Sequence, residues 1–168
     1  MKLILINGLG GAGKSSSGKA LMRAMDSSAY IGLDSLVATN PWEFNKKTDD
    51  LGIKNAISLI RNFSETGFEN IIISGLTRNQ EILNDFLSSL NQKADILFIW
   101  LYADADQRIL RKEKRNRDQA DKREDFNSLD VLIPNIKSIE IKEGKSVFID
   151  TSHKSVEQVV QEILSYTK

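Results

Sequence analysis

The sequence predicts an α/β fold, a five-stranded parallel sheet held between two layers of helix. Three features predict it. Apolar runs rich in Ile, Leu and Val recur along the chain without alternating with polar residues, which is the pattern of strands buried on both faces. Segments with apolar residues at helical spacing lie between those runs. A glycine-rich turn joins the first apolar run to the first helical segment.

Strands are expected at Leu3 to Ile6, Tyr30 to Leu33, Ile71 to Ile73, Ile96 to Tyr102 and Val147 to Ile149. The first helix is expected to begin near Lys14 and to run through Ser16 to Met25. Ile53, Ala56, Ile57, Ile60 and Phe63 mark a helix between the second and third strands, and Val156, Val159, Val160, Ile163 and Leu164 mark the last one. Helix caps are expected at Thr77 with Gln80, Asp104 with Gln107 and Ser155 with Gln158. In each pair a side-chain oxygen can accept an open backbone N–H while the residue three later reaches back. Ligands in such a sheet bind beyond the carboxyl ends of the strands, so residues there are the candidates for chemistry.

At 168 residues the chain has the size of one domain, and no repeat, low-complexity block or proline-rich linker divides it. A single domain over 1–168 is expected. Lys plus Arg and Asp plus Glu both total 23, so no global field draws the chain to nucleic acid or anionic lipid. The absence of cysteine excludes disulfides, thiolate metal sites and thiol catalysis, and fits a reducing cytoplasm. The run Leu3 to Ile6 is too short for a signal-peptide core or a membrane span, so Met1 is expected to begin a mature, soluble chain. A monomer or homodimer acting on a small molecule is the expectation.

Gly8-Leu9-Gly10-Gly11-Ala12-Gly13-Lys14-Ser15 fits G-x-x-x-x-G-K-S, with a strand before it and a helix after it. Glycines let such a loop wrap a phosphate closely with its N–H groups pointing inward. The helix N-terminus adds partial positive charge. Lys14 is expected to bridge the β- and γ-phosphates and the Ser15 hydroxyl to ligate Mg²⁺, with Ser16 beside them. ATP and Mg²⁺ are therefore the expected cofactors. The signatures of a regulatory GTPase are missing. Asp49-Asp50-Leu51-Gly52 follows the polar Asn45-Lys46-Lys47-Thr48 instead of a strand, and Asn91-Gln92-Lys93-Ala94-Asp95 lacks the N-K-x-D spacing.

Asp34 ends the second strand in Tyr30-Ile31-Gly32-Leu33-Asp34-Ser35. There it can take the proton of an attacking hydroxyl or orient an acceptor, or instead cap the short helix that follows. The Leu33-Asp34-Ser35 region resembles chloramphenicol phosphotransferase, shikimate kinase and polynucleotide kinase, which set a strand-end Asp against a hydroxyl. Ser74-Gly75-Leu76-Thr77-Arg78-Asn79-Gln80 resembles the D-G-F-P-R-T-x-x-Q motif of nucleoside monophosphate kinases, with Ser74 in place of its Asp and Thr77 in place of its Pro. That likeness implies that Arg78 grips an anionic acceptor. Trp42 and Phe44 fall in the variable segment Ser35 to Gly67, where they either stack on an acceptor ring or pack on the core.

The stretch from Arg108 to Arg123 resembles the lid of small P-loop kinases, placed at about 112–126. The resemblance implies that Arg115 and Arg117 meet the transferring phosphate and that Arg111 lies on the adenine side. Ile149-Asp150-Thr151-Ser152 is similar to loops that pass beside adenine in these kinases, which implies base contacts from Ser152 and His153. His153, the single histidine, has no ligand-spaced partner.

Taken over nearly the whole chain, the likeness to the P-loop kinases implies a P-loop NTPase fold with strand order 2-3-1-4-5. It also implies phosphoryl transfer from Mg·ATP to a small acceptor, with a nucleotide or nucleoside favoured and Lys14, Asp34, Arg115 and Arg117 as the catalytic set. The alternatives are a hydroxyl-metabolite kinase, a 5′-polynucleotide kinase and an NTP-binding regulator.

Overall fold

The computed structural model describes residues 1–41, 43, 45–77, 79–115 and 139–167, with Arg115 described only as the end of a helix. The elements in chain order are β1 (Lys2–Gly8), α1 (Lys14–Ala24), β2 (Ser28–Gly32), a 3₁₀ turn (Leu33–Ser35), α2 (Lys46–Glu65) and β3 (Asn70–Ser74). They continue with α3 (Gln80–Ser89), β4 (Asp95–Tyr102), α4 (Ala105–Arg115), β5 (Lys145–Asp150) and α5 (Val156–Ser165). All five expected strands form, and the sheet order is β2-β3-β1-β4-β5 with every pairing parallel.

β1 is the middle strand, and its side chains alternate between two apolar layers. Leu3 and Leu5 join Ile53, Ala56 and Ile60 of α2 and Leu83 and Phe86 of α3. Ile4 and Ile6 join Leu21 of α1 and Val159, Val160 and Ile163 of α5 on the other face. Each fully buried Leu or Ile contributes roughly 1.5–3 kcal/mol of transfer free energy, so this strand anchors the molecule from both sides. The carboxyl end of β1, where the glycine-rich loop begins, is thereby held firmly.

Two local expectations are corrected. α3 is capped by Asn79, whose side chain accepts from the Ile82 N–H at 2.9 Å, and not by Thr77. Thr77 is buried and turns its hydroxyl onto the Asn79 carbonyl instead, at 2.6 Å. β5 is not buried on both faces, because it is an edge strand: Val147 and Ile149 face the α1/α5 layer while Phe148 is exposed. The Ser155–Gln158 capping box forms as expected. A second box, between Asn45 and Thr48, starts α2 well before the apolar spacing at Ile53 begins. Among the described residues no helix is long and apolar enough to cross a membrane.

Candidate active site

The loop after β1 takes its shape from its neighbours. A Cβ on Gly8 would stand 2.3 Å from the Leu101 carbonyl oxygen of β4. A Cβ on Gly11, where φ is +83°, would stand 2.6 Å from the Arg108 carbonyl oxygen of α4. The loop is thus wedged between a strand end and a helix start, at distances only glycine allows. Gly13 forms the N-terminal boundary of α1 in a left-handed conformation without a side-chain cap. The first-turn N–H groups therefore meet no capping side chain, which is the condition for anion binding at a helix N-terminus.

Gly10, Gly11, Ala12 and Gly13 form the cradle, and Lys14, Ser15 and Ser16 open α1. Lys14 donates to the Leu9 carbonyl at 3.1 Å, so its ammonium folds back over the loop. Ser15 and Ser16 are half-buried in the first turn.

The outer side of the loop is braced by two arginines of α4. Arg108, only 3% exposed, donates from Nε to the Ala103 carbonyl at 3.1 Å and from Nη1 to the Gly10 carbonyl at 3.4 Å. Arg108 precedes the expected lid at about 112–126, and backbone carbonyls solvate its charge inside the protein. Arg111 reaches the Gly11 carbonyl at 3.4 Å, the Thr151 hydroxyl at 3.2 Å and the Ser152 carbonyl at 3.4 Å. It joins the cradle to the loop between β5 and α5.

That loop is itself fixed. The Thr151 hydroxyl donates to the Ala12 carbonyl at 3.0 Å, and Ser152 donates from both N–H and Oγ to Asp150 at 2.8 and 2.7 Å. The backbone N–H of Ser152, then its hydroxyl, holds the Asp150 carboxyl below the ordinary carboxylate range. The Asp104 N–H donates to Ser152 Oγ at 3.0 Å, and the Tyr102 hydroxyl donates to the Asp104 carboxylate, which raises the phenol's pKa. His153 stands exposed at the loop surface.

Asp34 lies on the opposite side of the cradle. It is exposed on the 3₁₀ turn, inside the turn's first residues and not at its cap, which is Gly32. A Cβ on Gly75 would stand 3.7 Å from Asp34 Oδ1 and 3.9 Å from Lys14 Cε. The ends of β2 and β3 therefore bring a carboxylate to the edge of the phosphate loop, beside the lysine that opens α1.

Asn7 and Tyr30 also belong to this region, and neither is signalled by a motif. Asn7 is fully buried, accepts from the Thr77 N–H at 2.9 Å and leaves its Nδ2 without a partner. The Tyr30 and Ser74 hydroxyls lie 2.5 Å apart at the carboxyl edge of β2 and β3. Trp42, Arg78, Arg117 and the side chain of Arg115 lie outside the described residues, as does the lid beyond residue 115. An open groove lined by Gln80, Asn84, Leu87, Ala94 and Lys142 is at the amino end of β4. The convergent polar groups, and not that groove, locate the chemistry.

A polyphosphate suits this cradle, since the first turn of α1 has no side-chain cap and Gly11 and Gly13 hold the loop in left-handed backbone. Ser15 would supply one hydroxyl oxygen to a bound Mg²⁺, a cation that takes one or two protein oxygens plus phosphates and water in such sites. Among the described residues no group of three or more His, Cys, Asp or Glu forms an independent metal cage.

No curated protein matches the chain. The fold is similar to that of a sugar kinase from Janibacter sp. HTCC2649, with a TM-score of 0.71 and 14% identity over 99% of this chain and 94% of that one. It is similar to a shikimate kinase from Acinetobacter baumannii in complex with shikimate, with a TM-score of 0.65, 18% identity, and coverage of 99% and 93%. It is also similar to a thymidylate kinase from Candida albicans, with a TM-score of 0.61, 16% identity, and coverage of 98% and 90%. Residues 4–132, from β1 through the cradle and α4, match the model of the AAA domain. The chain therefore belongs to the AAA domain family, with the fold of the small P-loop kinases.

Proposed function

We propose that the protein transfers the γ-phosphoryl group of Mg·ATP to a hydroxyl of a small acceptor, such as a nucleoside or another hydroxylated metabolite. The observation that carries this reading is the Asp34 carboxylate beside Gly75 and the Lys14 side chain. A hydroxyl must lose a proton as its oxygen attacks, and a carboxylate at that edge can accept it. A nucleoside monophosphate presents an oxygen already deprotonated and gains nothing from a base. It would also bring a second anion to Asp34, at a cost of about 1 kcal/mol in water and about 4 kcal/mol near a protein surface for charges about 4 Å apart. The sugar and shikimate kinases among the similar structures favour a hydroxyl acceptor, and the thymidylate kinase favours the nucleotide alternative.

In this reading the acceptor oxygen forms a bond to the γ-phosphorus, the bond to the β,γ-bridging oxygen breaks, and the acceptor proton passes to Asp34 and then to water. Bound Mg²⁺ neutralises charge on the phosphates. The amides of Gly8 to Gly13 and the Lys14 ammonium hold the polyphosphate. Arg111, Ser152 and His153 border the base, Arg115 and Arg117 meet the transferring group, and Trp42 and Arg78 contact the acceptor.

A coupled ADP-release screen with Mg·ATP against nucleosides, nucleoside monophosphates and hydroxylated metabolites tests the reading. Hydroxyl acceptors should raise ADP release well above idle hydrolysis. Asp34→Asn should lower kcat by about 10²- to 10⁴-fold while leaving ATP affinity within about twofold. Efficient turnover of monophosphates only would overturn the hydroxyl assignment. Tight nucleotide binding with no acceptor-dependent turnover would point instead to an NTP-binding regulator.

A further inference from the structure

The Tyr30–Ser74 hydroxyl pair stands where its chemistry bears on the nucleotide site. Ser74 is buried at the end of β3, and its side chain faces α1, because Ile72 two residues earlier packs in the α1/α5 layer. Tyr30 reaches the same edge by lying across α1: a Cβ on Gly18 would stand 2.7 Å from Tyr30 Cε2 and 3.7 Å from Ile72 Cγ2. Two residues further along β3 is about 6.6 Å. The same distance is about four residues of helix, which leads back from Gly18 to the turn holding Lys14 and Ser15. At Gly75, the residue after Ser74, an added Cβ would stand 3.9 Å from Lys14 Cε, so the end of β3 lies close to the first residue of α1.

A hydroxyl pair uses one of its two hydrogens internally, so it keeps one donor and free lone pairs for a third group. It is also uncharged, unlike a carboxylate at the same edge.

We infer that Tyr30 and Ser74 are positioning residues that orient the Ser15 hydroxyl and the water around a divalent cation on the bound nucleotide. The inference rests on the proposed ATP site. Tyr30 matters because it fixes the rotamer of Ser74, and Ser74 matters because it faces the first turn of α1. The two should therefore behave as one unit, and neither should touch the nucleotide itself.

Isothermal calorimetry of ATP binding, with Mg²⁺ and with EDTA, separates this role from a merely structural one. For Tyr30→Phe and Ser74→Ala, ATP affinity in Mg²⁺ should fall about tenfold, while affinity in EDTA should stay within about twofold of wild type. The double variant should be no weaker than either single one, and Ser74→Thr, which keeps the hydroxyl, should bind as wild type does. Tyr30→Phe keeps the ring against Gly18, so its melting temperature should stay near wild type and report that the fold is intact. Equal weakening with and without Mg²⁺, additive losses, or no loss at all would overturn the inference and leave the kinase reading standing. No ATP binding by the wild-type protein would instead remove the kinase reading itself.

Discussion

Gly11 carries two constraints at one residue, a φ of +83° and an approach of 2.6 Å between a would-be Cβ and the Arg108 carbonyl. Gly10, one residue away, carries neither, since its would-be Cβ meets only the end of the Lys112 side chain at 3.2 Å. Left-handed backbone costs a β-carbon about 1–2 kcal/mol and overpacking about 1–3 kcal/mol more. Gly11→Ala should therefore lower stability by about 3 kcal/mol, a fall of about 6–12 °C in melting temperature, while Gly10→Ala should cost less than about 1 kcal/mol. Thermal unfolding of the two variants side by side checks the contrast, and equal losses would show that α4 does not constrain the loop.

Among the elements, α3 begins where a hydrogen bond decides and not where the residue type suggests. Thr77 and Asn79 are both good cap residues by type, yet the buried Asn7 amide takes the Thr77 N–H and pulls that residue into the loop's interior. Asn79 is left to cap the helix through Ile82. Asn79→Ala should cost about 1 kcal/mol and speed amide exchange at Ile82. Unchanged exchange there would mean that Asn79 is not the functional cap. α4 shows the same dependence on surroundings: Arg108 and Arg111 are near neighbours on one helix, but one is sealed among carbonyls while the other links the cradle to the β5–α5 loop.

For the whole molecule, the cradle joins segments far apart in sequence, so a bound nucleotide should stabilise the fold as a unit. α1, α4, β4 and the loop after β5 all contact the phosphate loop. At a concentration one hundred times its Kd, Mg·ADP should add about 2.7 kcal/mol, a rise of about 5–10 °C in melting temperature. Lys14→Ala should erase most of that rise in a thermal-shift titration. A wild-type protein that melts at the same temperature with and without nucleotide would exclude the cradle as a binding site.

Five strands, the helices beside them and the phosphate loop are legible in the sequence because each depends on residues close in the chain. Apolar runs mark the strands, spacing marks the helices, and eight consecutive residues, Gly8 to Ser15, specify the cradle. Tertiary structure alone sets the Tyr30–Ser74 pair, 44 residues apart, and the Asn7–Thr77 bond, 70 residues apart. It alone brings the Asp34 and Lys14 side chains together around Gly75 and buries Arg108 as a brace of the loop. Local order follows from backbone propensity and side-chain periodicity, whereas a polar group's role follows from the partners that the fold brings within hydrogen-bond reach.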